Sequence, residues 1–194
     1  FDLGDVFLNL NHQASIDAFK KLGLKEWNDD LKAKTILFET GKIDELQFLE
    51  AVQTHIPNAN LIEIRDAWNA IIGDFPLERL EFLEKLQNKY NIFLLSNTNP
   101  THIDKFEHRV GLTFAREFYA HFNKIYFSYE TKVRKPDEAV FNLILKQNNL
   151  KPNKTLFVDD TLEHIEVAKG LGINTWQILV GQDDVTNLFD KKIL

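Results

Sequence analysis

The chain has 194 residues, of which 44% are hydrophobic, and a formal net charge of −6. That length is enough for one core, or for a core with a small accessory domain. The acidic balance argues against a general nucleic-acid binder, the lack of cysteine excludes disulfides and thiolate chemistry, and no apolar run approaches the roughly 20 residues of a membrane span.

The chain opens with FDLGDVFLNL, a strand-like apolar run that carries Asp2 near its end and turns at Gly4. It has no initiator Met and begins inside this strand pattern, so we expect a few residues to precede it. Because no signal peptide is visible, the expected location is the cytoplasm.

Residues 12–85 are almost wholly helical in pattern, with Asp44 a candidate N-cap. A helical block of this size is too large for a loop, which indicates a cap inserted after the first strand. We therefore predict an α/β core formed by residues 1–11 and 86–194 and a helical cap formed by residues 12–85. The aromatic side chains of the block are expected mainly in its core, although one of them could face the site; these are Trp27, Trp68 and Phe75.

Four further apolar runs read as buried strands: NIFLLS at 91–96, KIYFS at 124–128, TLFVDD at 155–160 and NTWQILV at 174–180. They alternate little between apolar and polar residues, which is typical of a parallel sheet covered on both faces. Amphipathic helical patterns lie between them. This alternation predicts the α/β class, with a doubly wound parallel sheet.

Polar side chains fall where these predicted strands end, or just before a helix. Because the carboxyl ends of parallel strands open on one edge of a sheet, we expect these side chains to converge. The set consists of Asp2, Ser96, Asn97, Lys135, Asp159 and Asp160.

Crowded carboxylates repel one another and need a cation. Oxygen ligands of this kind suit Mg²⁺, which also accepts phosphate oxygens, and a lysine and a hydroxyl beside it are donors for a phosphate. A carboxylate held against a phosphoryl group can attack phosphorus in line, forming an aspartyl-phosphate that water then hydrolyses. The pattern therefore favours Mg²⁺-dependent chemistry on a small phosphorylated metabolite, with no nucleic-acid or membrane partner.

Four segments, FDLGDV, LLSNT, RKPD and FVDDTLEHIEVAKGLG, resemble the four motifs of the haloacid dehalogenase-like (HAD) hydrolase superfamily, in the same order. The resemblance covers the predicted core, and it is greatest to small bacterial phosphatases with an FDLGNV-type opening, which include α-glucose-1-phosphate phosphatases. It implies a HAD-like Rossmannoid core with a helical cap, and a phosphatase that forms an aspartyl-phosphate, its substrate possibly a sugar phosphate.

The resemblance also implies a role for each matching residue. Asp2 would be the nucleophile, and Lys135 would bind phosphate and steady the charge of that nucleophile. Ser96, with Asn97 beside it, would bind phosphate. The Mg²⁺ ligands would be Asp2, the backbone carbonyl of Gly4, Asp159 and Asp160.

Two positions depart from the family pattern. The phosphatases usually carry a second Asp, the general acid and base, at the position of Gly4, whereas here an acid comes one residue later, at Asp5. Loss of a positioned acid costs about 10²–10⁴-fold in rate, so Asp5, a cap residue or water must supply the proton, or the leaving group must be an easy one. His164 stands where relatives often have Asn or Asp, and we expect it to support the loop with the acidic pair.

Three other functions compete with a phosphatase. A dehalogenase would use Asp2 to attack carbon, but the adjacent Asp159 and Asp160 favour a cation. A phosphomutase usually needs the acid that Gly4 lacks. A phosphate-binding scaffold with weak catalysis would also explain Gly4. No feature indicates an oligomeric state.

Outside these motifs we predict no function. Arg134 is expected to be a surface residue. The histidines show no ligand spacing and are expected at the surface or partly buried; they are His55, His102, His108 and His121.

Overall fold

The computed structural model of the protein describes residues 1–191. In this part of the chain, five helices precede the first regular strand. They are α1 (His12–Lys21), α2 (Asp29–Glu39), α3 (Glu45–Gln53), α4 (Leu61–Asn69) and α5 (Leu77–Gln87). The helical pattern of the long segment after the opening is therefore present in the structure.

Strands and helices alternate over the rest of the described chain, which confirms the predicted α/β class. The elements are β1 (Phe93–Ser96), α6 (Pro100–Val110), α7 (Leu112–Ala120), β2 (Lys124–Phe127), α8 (Ser128–Thr131), α9 (Glu138–Gln147), β3 (Leu156–Asp159), α10 (Leu162–Gly170) and β4 (Asn174–Gln177). Short 3₁₀ turns lie at Pro152–Lys154 and Val185–Lys191. Each of the four predicted runs contains one strand.

The strands pair in parallel as β1 with β2 and β3 with β4. The opening residues link the two pairs. The N–H of Asp2 donates to the carbonyl of Val158 at 2.9 Å, and the N–H of Leu95 donates to the carbonyl of Phe1 at 2.8 Å. The predicted opening strand is thus a short extended link rather than a regular strand, and it lies between β1 and β3.

Successive residues of the central strands pack into different apolar clusters, because side chains alternate between the two faces of a sheet. Leu94 and Val158 belong to one cluster, and Leu95 and Phe157 to another. Both faces are therefore covered by helices, as a doubly wound sheet requires.

The helices before β1 bury a cluster of their own, which draws only on residues 19–67. Helix α3 begins with a capping box formed by Asp44 and Gln47, so the predicted N-cap is confirmed. The buried apolar residues of α5 pack instead with the sheet. The domain boundaries at residues 11/12 and 85/86 stay predictions.

Within residues 1–191, no helix combines the length and the apolar character that crossing a bilayer requires.

Candidate active site

Three carboxylates meet at the carboxyl edge of the sheet. Asp2 ends the opening link, Asp159 is the last residue of β3, and Asp160 follows it. One carboxylate oxygen from each of the three lies within 4.8 Å of the other two. They meet because the link and β3 are hydrogen-bonded neighbours whose ends open on the same edge.

Lys135 projects into this cluster from the turn before α9, and its side chain is fully buried. Its Nζ donates to Asp159 Oδ2 at 2.6 Å and lies 2.9 Å from Asp2 Oδ1. The second contact is an ion pair, and no other donor hydrogen-bonds the buried Asp2 Oδ1. The charge of the lysine is thus shared between two carboxylates.

The pKa values of these groups reflect burial and their neighbours. Burial, with a contribution from Asp159, raises the pKa of Asp2 to about 6, although Lys135 opposes the change. Burial also raises the pKa of Asp160. Burial has the same tendency at Asp159, but Lys135 and His164 outweigh it and lower the pKa of that carboxyl. At Asp2 and Asp160, the nearby positive charge is too small to offset the effect of burial on the pKa.

The cluster fits a divalent cation on these observations. Three carboxylates meet beside one lysine, whose Nζ contacts two of them, so the negative charge exceeds the positive charge. Oxygen-only donor sets of this kind suit Mg²⁺.

Ser96 and Asn97, at the end of β1, occupy different environments. Ser96 is buried at the carboxyl edge of the sheet. The amide of Asn97 is engaged with the backbone of Lys135: its Nδ2 donates to the Lys135 carbonyl at 2.8 Å, and its Oδ1 accepts from the Lys135 N–H at 2.9 Å. The side chain of Asn97 therefore fixes the backbone of Lys135, and phosphate binding by Asn97 stays a prediction that would fall to its backbone N–H.

A side chain at position 4, where the usual catalytic acid would stand, would require Leu10 to move. A Cβ atom at this position would lie 2.8 Å from Leu10 Cδ1. Asp5 does not take over as a free acid, because its Oδ1 accepts the N–H of Leu10 at 2.9 Å and its Oδ2 lies 3.3 Å from His12 Nε2. The backbone of Asp5 adopts a positive φ of 52°, which the adjacent turn imposes.

His164, in the first turn of α10, contacts the acidic pair. Its Nδ1 lies 3.0 and 3.2 Å from the two carboxylate oxygens of Asp159. A histidine that donates from Nδ1 orients this carboxylate, so the geometry agrees with the expected supporting role.

The sequence reasoning missed residues that join the helices before β1 to the site loops. Arg134, expected at the surface, instead lies partly buried with its Nε 3.2 Å from Glu39 Oε2. His102 stacks on Trp68 and is hydrogen-bonded to its carbonyl. Neither interaction joins residues near in sequence, so no local motif could have indicated it; only the tertiary arrangement brings the partners together.

Comparison with known proteins agrees with this architecture. Residues 1–172 match the sequence profile of the haloacid dehalogenase-like hydrolase family. A D-ribitol-5-phosphate phosphatase from Bacteroides thetaiotaomicron is 29% identical over 189 residues, covering 94% of this chain and 92% of that protein.

Solved structures give the same result. A HAD family enzyme from Bacteroides thetaiotaomicron superposes with a TM-score of 0.86 at 31% identity, covering 97% of this chain and 95% of that one. Its complex with magnesium and inorganic phosphate superposes with a TM-score of 0.80 at 30% identity, covering 94% and 93%.

More distant structures share the fold alone. An L-2-haloacid dehalogenase from Xanthobacter autotrophicus has a TM-score of 0.59 at 16% identity, covering 100% of this chain and 82% of that one. The profile match over most of the chain, together with the order of the four motifs, shows that this protein belongs to the haloacid dehalogenase-like hydrolase family.

Proposed function

We propose that this protein is a Mg²⁺-dependent phosphatase that hydrolyses a small phosphorylated sugar or sugar alcohol through a phosphorylated Asp2. The observation that carries the proposal is the meeting of the Asp2, Asp159 and Asp160 carboxylates within 4.8 Å, with Lys135 Nζ buried between two of them.

Asp2, Asp159, Asp160 and the backbone carbonyl of Gly4 would hold the cation. When bound, Mg²⁺ supplies positive charge that offsets the carboxylates and the phosphate oxygens and so favours their close approach. The remaining chemistry belongs to the side chains of this chain.

Asp2 is the nucleophile in the first step. Its carboxylate oxygen forms a bond to phosphorus while the bond between phosphorus and the ester oxygen breaks, and the electron pair leaves with that oxygen. Lys135 lies beside Asp2 and donates to the phosphoryl oxygens, whose charge it offsets. Ser96 donates its hydroxyl, and Asn97 contributes its backbone N–H and holds Lys135 in place.

The leaving oxygen must gain a proton as it departs. Gly4 supplies none, and both oxygens of Asp5 have partners within this fold. In this proposal the proton comes from water at the site. Because no positioned acid donates this proton, departure of the leaving group limits the rate. Esters of acidic alcohols should therefore react faster than esters of simple alcohols.

In the second step, water attacks the phosphorus of phosphorylated Asp2. The bond between phosphorus and the Asp2 oxygen breaks, inorganic phosphate leaves, and the carboxylate is restored, while the proton lost by the attacking water neutralises the hydroxide left by the first step. Lys135, which contacts both Asp2 and Asp159 in this fold, limits the charge that accumulates on the restored nucleophile.

The substrate class follows from the relative in Bacteroides thetaiotaomicron, which carries the name D-ribitol-5-phosphate phosphatase. We propose that residues 12–85 form the cap that encloses the site and selects the leaving group.

The dehalogenase alternative is weaker on this geometry. Attack on carbon needs no divalent cation, whereas Asp159 and Asp160 are adjacent carboxylates that need one. A scaffold role would not explain why a buried Asp2 is paired with Lys135, as a nucleophile requires.

Hydrolysis of an aryl phosphate tests the proposal, with and without Mg²⁺, in the wild type and in Asp2→Asn. We expect turnover that requires Mg²⁺ and is lost in the variant. A panel of pentitol and sugar phosphates then ranks substrates, and halide release from a 2-haloacid is the counter-assay. Turnover that survives either chelation or Asp2→Asn refutes the mechanism.

A further inference from the structure

We infer that Asn99 and His102 are positioning residues that fasten the phosphate-binding loop after β1 to helix α4 of the cap. The inference rests on the proposed function, because that function assigns Ser96 of this loop to the phosphate. The unit consists of Trp68, Asn99 and His102, and we name it the Trp68 clamp.

Asn99 is the centre of the clamp. It is fully buried, caps the N-terminus of α6, and lies three residues after Ser96. Its Oδ1 accepts from the backbone N–H of His102 at 3.0 Å and lies 3.4 Å from Trp68 Nε1. Because both partners can only donate, the orientation of the Asn99 amide is fixed, and its Nδ2 faces His102 Nδ1 at 3.1 Å.

The fixed amide also determines the state of His102. Since Asn99 Nδ2 donates, His102 Nδ1 must accept, which assigns the ring proton to Nε2. That Nε2 donates to the backbone carbonyl of Trp68 at 3.1 Å. The imidazole stacks on the Trp68 indole with 4.7 Å between ring centroids and an interplanar angle of 17°. The clamp therefore joins α4 to the start of α6 through hydrogen bonds and a ring stack.

The loop between Ser96 and Asn99 has two other attachments, both within the sheet domain. The N–H of Thr98 donates to Ser128 Oγ at 2.9 Å, and Ser128 Oγ donates back to the Thr98 carbonyl at 3.0 Å. Asn97 binds the backbone of Lys135. Among the hydrogen bonds of residues 1–191, the clamp is the direct tie between this loop and the helices before β1, and it therefore offers the shortest route from the cap to Ser96.

Beside the clamp, where α4 meets α6, two buried polar side-chain atoms have no hydrogen bond in the described structure. Asn69 follows Trp68, Thr101 precedes His102, and both are buried. The two atoms are Asn69 Oδ1 and Thr101 Oγ1. Asn69 ends α4 and Thr101 lies in the first turn of α6, so both atoms flank the clamp.

Binding of inorganic phosphate in the presence of Mg²⁺, measured by isothermal titration calorimetry, tests the inference. His102→Phe keeps a stacked ring but removes the ring hydrogen bonds to Asn99 and Trp68. We expect it to weaken phosphate binding about tenfold, the effect of losing roughly one net hydrogen bond. His108→Phe, an exposed position on the same helix, is the matched control and should change binding less than about twofold.

A second variant separates positioning from simple loss of stability. His102→Gln can still donate to the Trp68 carbonyl, so we expect it to recover part of the affinity lost in His102→Phe. A merely structural role would lower the melting temperature of both variants while leaving their phosphate affinity near that of the wild type. Phosphate affinity within about twofold of wild type in folded His102→Phe overturns the inference.

Amide hydrogen exchange on the metal-free protein gives a readout independent of phosphate. In His102→Phe we expect faster exchange in both 61–69 and 97–102, and no change in His108→Phe. Acceleration in one segment only, or in neither, contradicts the clamp. If the wild type binds no phosphate at all, the proposed function fails, and the exchange experiment still decides whether the clamp joins the two segments.

Discussion

At the scale of single residues, Gly4 leaves protonation of the leaving group to water in the proposed mechanism. The three atoms nearest to a Cβ at this position would belong to the side chain of Leu10, the nearest being Cδ1 at 2.8 Å. Because that atom is the end of a flexible side chain, a substitution can be accommodated if Leu10 is shortened. The missing acid is therefore open to engineering.

We predict that Gly4→Asp combined with Leu10→Ala raises kcat for an alkyl phosphate at least about tenfold, since a positioned general acid contributes 10²–10⁴-fold. The gain should be smaller for an aryl phosphate, whose phenolate leaves without protonation. Steady-state kinetics on the two esters measures the difference.

The matched control for that prediction is Gly4→Asn with Leu10→Ala, which has the same shape but donates no catalytic proton. Equal rates in the Asp and Asn variants on the alkyl ester would contradict a role for protonation at this position.

His102 makes stability depend on pH. Burial lowers its pKa from 6.5 to about 4, although the hydrogen bond to Trp68 opposes the change. The unfolded chain therefore takes up a proton near pH 6.5 that the folded protein does not bind until about pH 4. The contribution of His102 to the free energy of unfolding is fully present above pH 6.5. It falls as the pH is lowered from 6.5 towards 4, by about 2 kcal/mol between pH 7 and pH 5.

Urea unfolding at pH 7 and pH 5 measures this loss in the wild type and in His102→Phe. Other titrating groups contribute equally to both proteins, so the wild type should lose about 2 kcal/mol more than the variant. The same loss in both proteins would show that His102 is not held neutral.

At the scale of elements, helix α2 is attached to the turn before α9. Arg134 Nε lies 3.2 Å from Glu39 Oε2, and Lys132 Nζ donates to the Gly41 carbonyl at 3.1 Å. Burial raises the pKa of Glu39, and Arg134 opposes that change. The arginine beside the proposed catalytic lysine thus compensates a carboxylate of the helical block.

We expect Arg134→Gln to destabilise the protein by about 2 kcal/mol, because it leaves Glu39 without its partner. The loss is smaller than for a fully buried pair since the Arg134 side chain is 29% exposed. Arg116→Gln, at an exposed position, is the control, and urea unfolding is the measurement.

The double variant Glu39→Gln with Arg134→Gln should recover part of the loss, because no uncompensated carboxylate remains. If Arg134→Gln and Arg116→Gln unfold alike, the ion pair contributes nothing.

Elements with strong local signals could be predicted from the sequence. The apolar runs that became β1 to β4, and the cap residue Asp44, depend on periodicity and on hydrogen bonds within a few residues. The predicted opening strand is longer than the observed link, because the prediction relied on the apolar residues that flank Asp2. In the structure, the backbone of residues 1 and 2 pairs with β1 and β3.

The candidate site likewise has features that the sequence predicted and contacts that it did not. Strand-end placement predicted that Asp2, Asp159 and Asp160 would meet, and the structure brings them together. The engagement of Asn97 with Lys135, and the pairing of Arg134 with Glu39, join residues 38 and 95 positions apart in the chain. Local sequence patterns carry no signal for contacts between residues so far apart in the chain, so these two contacts could be found only in the structure.

At the scale of the whole molecule, the helices before β1 contact both proposed phosphate-binding loops. Helix α4 reaches the loop after β1 through the Trp68 clamp, and α2 reaches the turn with Lys135 through Arg134 and Lys132. Both attachments end on loops whose residues bind the phosphate in the proposed mechanism. The arrangement allows the position of these helices to affect the proposed chemistry at the edge of the sheet.

The central claim is that Asp2 becomes phosphorylated beside a divalent cation held by Asp159 and Asp160. Acid quenching during turnover of an aryl phosphate, whose phenolate leaves without protonation so that phosphorylated Asp2 can accumulate, followed by peptide mass spectrometry, measures it most directly. The account predicts one added phosphoryl group on Asp2 when Mg²⁺ is present, and none with chelator or in Asp160→Asn. Turnover without phosphoryl on Asp2, or labelling that ignores the removal of Mg²⁺, would contradict it.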